Sequence, residues 1–363
     1  MANTTTGRPG LAVLSFDGGG VRGYSSLLIV EALMCAIQRE MKLETVPRPC
    51  EYFNIIGGTS SGGLNAILLG RLGMSAEQAL EAYRRVAKLA FTPVPHFPFS
   101  PQGAYSGRNL KKAIQDELER HVIGDREAAL AEEIRTSGDE ASAKAIVAKR
   151  AENARDLLYY DPTACRTVVL AKTTTDVGAR PTLFKSYATD PRWMSCKIWE
   201  IARATSAATT FFPSIKIGRD KIEFLDTALG NNNPCDTLFD EISREFPENN
   251  IYCMVSVGTG LQKAIELKNN RLSILRSLAK LATNSNAVHS AMAQRHGSNK
   301  PRVYWRFDED AGLHDVELDN WDAMSKVAGH TSNYINKPEV QNEMNELASC
   351  IKVASGEGPN GAS

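Results

Sequence analysis

The sequence has no excess of either charge: Lys plus Arg and Asp plus Glu number 42 each across 363 residues. A chain so balanced has no long-range field to draw it to nucleic acid or to an anionic membrane. Nucleic-acid binding is therefore not expected, and any membrane contact must be local. Paired cysteines are also missing. Cys35, Cys50, Cys165, Cys196, Cys235, Cys253 and Cys350 are odd in number, scattered and never in a C-x-x-C pair. That argues against a disulfide framework and a zinc site, and fits a reducing, cytoplasmic setting. No apolar run approaches the ~20 residues that a membrane-spanning helix needs. Met1 to Pro9 is polar and broken by glycine and proline, unlike a secretory signal. The expectation is a soluble protein, or one that visits a membrane peripherally.

What is present is an ordinary globular balance, 42% hydrophobic and 23% charged, with material for a sizeable core. Leu11 to Phe16 is a short apolar run that ends in Asp17-Gly-Gly-Gly. After Gly23 the apolar residues Leu27, Leu28, Val30, Leu33, Met34 and Ile37 take helical spacing. A second unit repeats the form: Tyr52 to Ile56 as a strand, Gly57 to Gly63 as a tight turn, Leu64 to Leu72 as a helix. Two strand-turn-helix units predict a parallel sheet with helices on its faces.

Further along, Ser75-x-x-Gln78 reads as a capping box opening a helix to about Leu89. Phe91 to Pro101, with Phe97, Phe99 and His96, is a loop. Its aromatics suit either a lid or interfacial anchor, or packing into the body of the protein. Helical patterns return over Leu110 to His121, and Asp139 to Leu158 is read as an exposed helix on an insertion spanning about 125–158. Strands are expected at Thr167 to Lys172, Thr182 to Tyr187, Tyr252 to Val257 and Val303 to Phe307. Two short ones lie within Ile215 to Leu225, divided by Gly218-Arg219-Asp220. Helices are expected at Lys197 to Ala208 and Pro234 to Phe246. With no internal repeat, residues 11–354 read as a single domain, between a flexible N-terminus (1–10) and a flexible tail (355–363).

The chemistry concentrates in three places. Gly58-Thr59-Ser60-Ser61-Gly62 fits G-x-S-x-G at a strand-to-helix turn, where small residues allow a sharp elbow that pushes a serine hydroxyl clear of the backbone. Outside that context the same residues would be an ordinary Gly/Ser turn. Asp17 to Gly23 matches G-x-G-x-x-G. The dinucleotide fingerprint, however, requires a second strand ending in an acid about twenty residues on, and none follows here. Three successive glycines leave amide N–H groups unshielded by side chains, which suits them to closing on an oxyanion. A nucleophilic serine needs a base. Of the six histidines, chain order permits a triad through His289, His296, His314 or His330, and none sits in a recognisable loop motif. A partly desolvated carboxylate can serve instead, and Asp226, at a strand end, is placed for it.

Taken together, Asp17-Gly-Gly-Gly-Val-Arg-Gly, Gly58-Thr-Ser-Ser-Gly and Asp226-Thr-Ala-Leu-Gly-Asn-Asn-Asn-Pro occur in the order and context of the patatin-like phospholipases. Lys197 to Ala208 and Val255 to Leu261 also resemble that family, particularly its eukaryotic calcium-independent phospholipase members. The resemblance implies a three-layer α/β/α acyl hydrolase fold with a mostly parallel central sheet. It implies a Ser-Asp dyad of Ser60 and Asp226, an oxyanion hole from Gly18, Gly19 and Gly20, and supporting motif residues Arg22, Gly23, Gly58 and Gly62. Arg22 falls on the family's arginine, either ordering the loop or touching substrate. The implied substrate is a membrane phospholipid or other glycerolipid, cleaved with neither metal nor cofactor. One position departs: the family has glycine after the acid, and this chain has Thr227. A β-branched residue there either sits in extended geometry or tilts Asp226 out of reach. The second outcome would leave a weakened protein that binds lipid or a partner.

Overall fold

The computed structural model describes residues 10–93, 105–176, 178–209, 211–227, 230–260, 285–296, 301–310 and 312–355. The first unit forms as its pattern predicts, with strand β1 (Leu11–Phe16), a 3-10 turn at Gly20–Arg22 and helix α1 (Gly23–Met41). In the second, a helical turn α2 (Pro49–Tyr52) precedes β2 (Ile55–Thr59) and α3 (Ser61–Ala66), which runs into a π-helical turn at Ile67–Arg71. Then come α4 (Ala76–Ala90), α5 (Gly107–Ile123), α6 (Arg126–Ser137), α7 (Glu140–Arg155), β3 (Arg166–Thr173), β4 (Thr182–Lys185) and α8 (Ile198–Thr205). They are followed by β5 (Ile215–Ile217), β6 (Ile222–Leu225), α9 (Cys235–Glu245), β7 (Ile251–Val257), α10 (Ser285–His296), β8 (Tyr304–Phe307), α11 (Met324–Ile335) and α12 (Pro338–Ala354).

One sheet runs in the order β5-β6-β3-β2-β1-β7-β8, with β4 also paired to β3. The pairs β1–β2, β2–β3, β1–β7 and β7–β8 are parallel, while β4, β5 and β6 add antiparallel pairs at the β3 side. Alternation decides which face each side chain joins. Ala12, Leu14 and Phe16 point to a core shared with α1, α4, α11 and α12, whereas Leu11 and Val13 point to one shared with α9 and α10. On β3, Val168 and Leu170 join the α9 side, and Val169 and Ala171 join a third cluster with α5 and α8. Central strands buried on both faces read as continuous apolar runs, and helices on both faces make this the three-layer α/β/α arrangement. The Ser75/Gln78 capping box is present at the start of α4.

Three expectations shift. The second strand is not Tyr52 to Ile56: Pro49 opens a helical turn capped by Glu51, and the strand runs through Gly57 and Gly58 to Thr59. Glycines here are strand residues because the next layer presses on them. A Cβ on Gly57 would lie 2.7 Å from Leu238 Cδ1, and one on Gly58 would lie 2.1 Å from the Gly62 carbonyl. The expected insertion is a helical pair rather than one helix, α6 with no buried side chain and α7 packing Ala143, Val147, Ala151 and Ala154 inward. Finally, Gly20–Met41 is long and apolar enough to cross a membrane by length and hydropathy, contrary to the sequence reading. It is instead packed inside the protein, with Leu27, Ile29, Val30, Leu33, Met34 and Ile37 fully buried.

Candidate active site

The strand register explains why residues far apart in sequence meet. Phe16 is level with both Gly58 and Val257, so β1, β2 and β7 end together. The residues that follow, Asp17, Ser60 and the Gly258–Gly260 turn, gather at the carboxyl ends of parallel strands, where open α/β sheets place their sites. Thr59 is level with Leu170, and antiparallel β6 brings Leu225 level with Lys172, which delivers Asp226 to the same end.

Ser60 has φ 55° and ψ −128°, a left-handed geometry that costs a non-glycine residue of order 1–3 kcal/mol. The surroundings hold it there. Its N–H donates to Thr205 Oγ1 (2.8 Å), and the Thr205 hydroxyl donates to the Leu170 carbonyl (2.7 Å). Gly62 lets α3 close on β1, since a Cβ there would lie 2.4 Å from the Phe16 carbonyl oxygen. The strained turn aims the side chain at the acid, and Ser60 Oγ donates to Asp226 Oδ2 at 2.6 Å. Asp226 is buried, and its own N–H donates to the Ala207 carbonyl (3.1 Å).

Thr227 does not tilt Asp226 away. It is fully buried, is not among the residues with positive φ, and its hydroxyl is hydrogen bonded to that of Thr59, the residue before the nucleophile. Each of the five described histidines has its neighbours elsewhere. His121 lies beside Arg71, His289 is bonded to Tyr304, His296 rests on the Phe239 ring, His314 pairs with Asp315, and His330 abuts Gly312. His96, Phe97 and Phe99 lie outside the described residues. Phe91 packs inward, edge-on to Tyr105 at 5.3 Å and against Phe212 at 5.4 Å.

The glycine loop lies against the elbow: a Cβ on Gly18 would be 3.0 Å from Ser60 Cβ. Its amides differ in what they do. Gly18 N–H donates to the Asn232 carbonyl (3.0 Å), a backbone acceptor, whereas Gly19 N–H donates to the rotatable Ser61 hydroxyl (2.9 Å). The Gly18 carbonyl accepts from Asn232 Nδ2 (3.1 Å) and Thr259 Oγ1 (2.9 Å), and the Gly20 carbonyl accepts from Tyr83 (2.5 Å). Gly20 has φ +54° and meets the Leu318 carbonyl so closely that no Cβ fits. Arg22 is buried beneath the loop, where burial lowers its pKa and Asp308 and Glu317 oppose the shift. Gly23 makes room for Tyr83 and Ser61.

Beneath the loop, Arg306 binds Asp17 through both terminal nitrogens (2.9 and 2.7 Å), and also Asp308 (2.6 Å) and Ser256 (2.7 Å). Asp308 in turn accepts the Gly260 N–H (2.8 Å). This buried network ties the glycine loop to the β7 turn. Burial pushes Asp17 up to about 6, although Arg306 works in the opposite direction. Sequence reading missed Thr59, Thr205, Asn232, Thr259 and Arg306. Thr59, Thr205, Asn232 and Thr259 stand inside segments recognised as motifs, but nothing in the sequence marks Arg306.

An elbow serine bonded to a buried aspartate, beside a glycine loop at the carboxyl end of an α/β/α sheet, defines a hydrolase-like architecture. The patatin-like phospholipase family model matches residues 14–239, and the chain belongs to that family. It is 26% identical over 317 residues to rat calcium-independent phospholipase A2-gamma, covering 82% of this chain and 35% of that protein. It is 25% identical over 287 residues to phospholipase A I of Arabidopsis thaliana, covering 70% of this chain and 21% of that one. Patatin-17 of Solanum cardiophyllum matches at 33% over 113 residues, covering 30% of this chain and 28% of that protein. Among solved structures, VipD from Legionella pneumophila aligns with TM-score 0.43 and 11% identity, over 94% of this chain and 67% of that one. The chain thus spans about a third or less of the length of these curated relatives.

Proposed function

We propose that the protein is a lipid acyl hydrolase of phospholipase A type, cleaving fatty-acyl esters of membrane phospholipids or other glycerolipids through Ser60 and Asp226. The observation that carries this reading is the 2.6 Å hydrogen bond from Ser60 Oγ to Asp226 Oδ2 at a left-handed elbow. As Ser60 attacks the ester carbonyl, Asp226 takes its proton. The acyl–oxygen bond breaks, the alcohol leaves with that proton, and the acyl group remains on Ser60. Water then attacks with the same carboxylate as base and frees the fatty acid. Negative charge on the carbonyl oxygen falls to the glycine loop. Gly19 can turn its N–H to the oxyanion when the Ser61 hydroxyl rotates away, with Gly20 beside it. Gly18, whose N–H is given to a backbone carbonyl, holds the loop rather than donating. The substrate is reached from the water side, by a cytoplasmic protein touching the membrane peripherally.

The test is hydrolysis of a short-chain chromogenic ester and of phospholipid vesicles by the purified chain beside Ser60→Ala and Asp226→Asn. Both changes are expected to cut turnover by at least about a thousandfold. Activity surviving Asp226→Asn would place the base elsewhere. An inert parent chain that gains turnover with Thr227→Gly would mark a weakened member that binds lipid without cleaving it.

A further inference from the structure

Arg22 and Arg203 are buried, and Arg71 and Arg306 have side chains no more than 10% exposed. Arg306 faces Asp17 and Asp308, Arg22 faces Asp308 and Glu317, and Arg71 faces Asp161. Arg203, on α8, has no such partner. It is 4% exposed, its Nη2 donates to the Pro213 carbonyl (3.0 Å), and its Nη1 is buried with no hydrogen-bond partner. Desolvation lowers its pKa to about 10, and no acidic side chain among the described residues offsets the shift. A cation buried without a counter-charge is costly, so the site is built for a charge it does not itself contain.

The same guanidinium lies against the start of α5. A Cβ on Gly107, the first residue of that 17-residue helix, would fall 2.7 Å from Arg203 Nη2. Helix N-termini favour acids, yet the first turn of α5 has none and carries the exposed Arg108. Ser106 takes the N–H groups of Asn109 through its hydroxyl and of Leu110 through its carbonyl. The Ser106 cap thus does not take the first amides of the helix, those of Gly107 and Arg108. The nearby acid Asp319 is engaged by the Tyr105 hydroxyl at 2.8 Å. A planar guanidinium with one nitrogen unpaired, beside helix amides that the Ser106 cap does not take, matches a tetrahedral oxyanion that can accept a two-pronged contact.

We infer that Arg203 and the N-terminus of α5 form a phosphate-binding site, filled either by the phosphodiester of a lipid headgroup or by free phosphate. The site adjoins the catalytic machinery through its own chain. Two residues after Arg203, Thr205 holds the Ser60 N–H, and the segment that carries Pro213 also supplies the Ala207 carbonyl to Asp226. A bound phosphate would brace α5, α8 and that segment against one another.

Binding can be read without turnover, so this inference and the proposed hydrolysis fail separately. The intact chain is titrated at constant ionic strength with inorganic phosphate or with sn-glycero-3-phosphocholine. Thermal unfolding and the Gly107 and Arg108 amide resonances are followed. A saturable rise in the unfolding midpoint of about 2 °C or more, with shifts of both amides, is expected. A response to inorganic phosphate alone assigns free phosphate, and a response to the phosphodiester assigns the headgroup. Arg203→Gln should abolish the response, and Arg203→Lys, which keeps the charge but not the fork, should weaken binding at least about tenfold. If Arg203→Gln does not fold, the lysine variant and the amide shifts decide. No saturable response to either compound, or an unchanged response in Arg203→Lys, overturns the inference.

Discussion

The hydroxyls of Thr59 and Thr227 are hydrogen bonded to each other, which fastens the residue before the nucleophile to the residue after its acid. Both side chains are fully buried, so a threonine in place of the family's glycine acts here as a tie between the two halves of the dyad. Removing one hydroxyl leaves the other buried without this partner, and Thr227→Val or Thr59→Val alone should destabilise the protein by about 1–3 kcal/mol. The double Thr59→Val/Thr227→Val variant should lose less than the sum, because neither partner is then left unsatisfied. Denaturant unfolding of the four proteins checks this. Additive losses would mean that the pair contributes nothing as a pair.

Strain at Ser60 makes its two simplest replacements unequal. Alanine and glycine both delete the hydroxyl bonded to Asp226, but alanine keeps the Cβ that is uncomfortable at φ 55°, whereas glycine adopts that angle freely. Both variants should be inactive, with Ser60→Gly more stable than Ser60→Ala by about 1 kcal/mol. Unfolding midpoints of the two proteins compared side by side supply the measurement. Equal stability would mean that the elbow is not strained.

Much of this site was legible in the sequence because its constraints are local. Ser60, Gly58 and Gly62 follow one another, and the need for a sharp turn is written in small residues. The apolar pattern places strand β2 too early for a related reason. Gly57 and Gly58 carry no side chains, so an apolar pattern cannot reveal that the strand continues through them under Leu238 and α3. The oxyanion donors were only partly legible, since the glycines mark a bare loop but not which N–H is spent on Asn232 and which on a movable hydroxyl. Arg306 was not legible at all. It reaches Asp17 across 289 positions of sequence, and only the β1–β7–β8 pairing brings them together.

That pairing makes Arg306 a structural weak point. Its guanidinium is 7% exposed and is the shared counter-charge of Asp17 and Asp308. Arg306→Met would leave two acids facing each other without it. Breaking a buried pair from one side typically costs about 3–5 kcal/mol, and a loss of that size is expected here in denaturant unfolding. Adding Asp17→Asn to Arg306→Met should recover part of the loss, because one of the stranded charges is gone. No recovery would mean that Arg306 matters for packing rather than for charge.

Asp17 should also make acid act in opposite directions on stability and on turnover. Burial raises its pKa from the ordinary 3.8 to about 6, so between those values the folded chain holds a proton that the unfolded chain has released. The stability linked to this proton is fully present below the unfolded value and is lost as pH rises through the folded one. Replacing Asp17 with asparagine should remove that part of the pH dependence, whatever it does to the level. Turnover should run the other way. Protonation withdraws the negative charge that Arg306 grips, and the loop beginning at Gly18 is then held less firmly beside Ser60. Carboxyl NMR of Asp17 should give a midpoint near 6, with ester hydrolysis falling below it. Arg306→Lys, which keeps a charge but loses the two-pronged grip, should move the midpoint upward, because burial would then be opposed less. A midpoint that stays near 4 in the parent chain would mean that Arg306 outweighs burial, and that acid does not loosen the glycine loop through this pair.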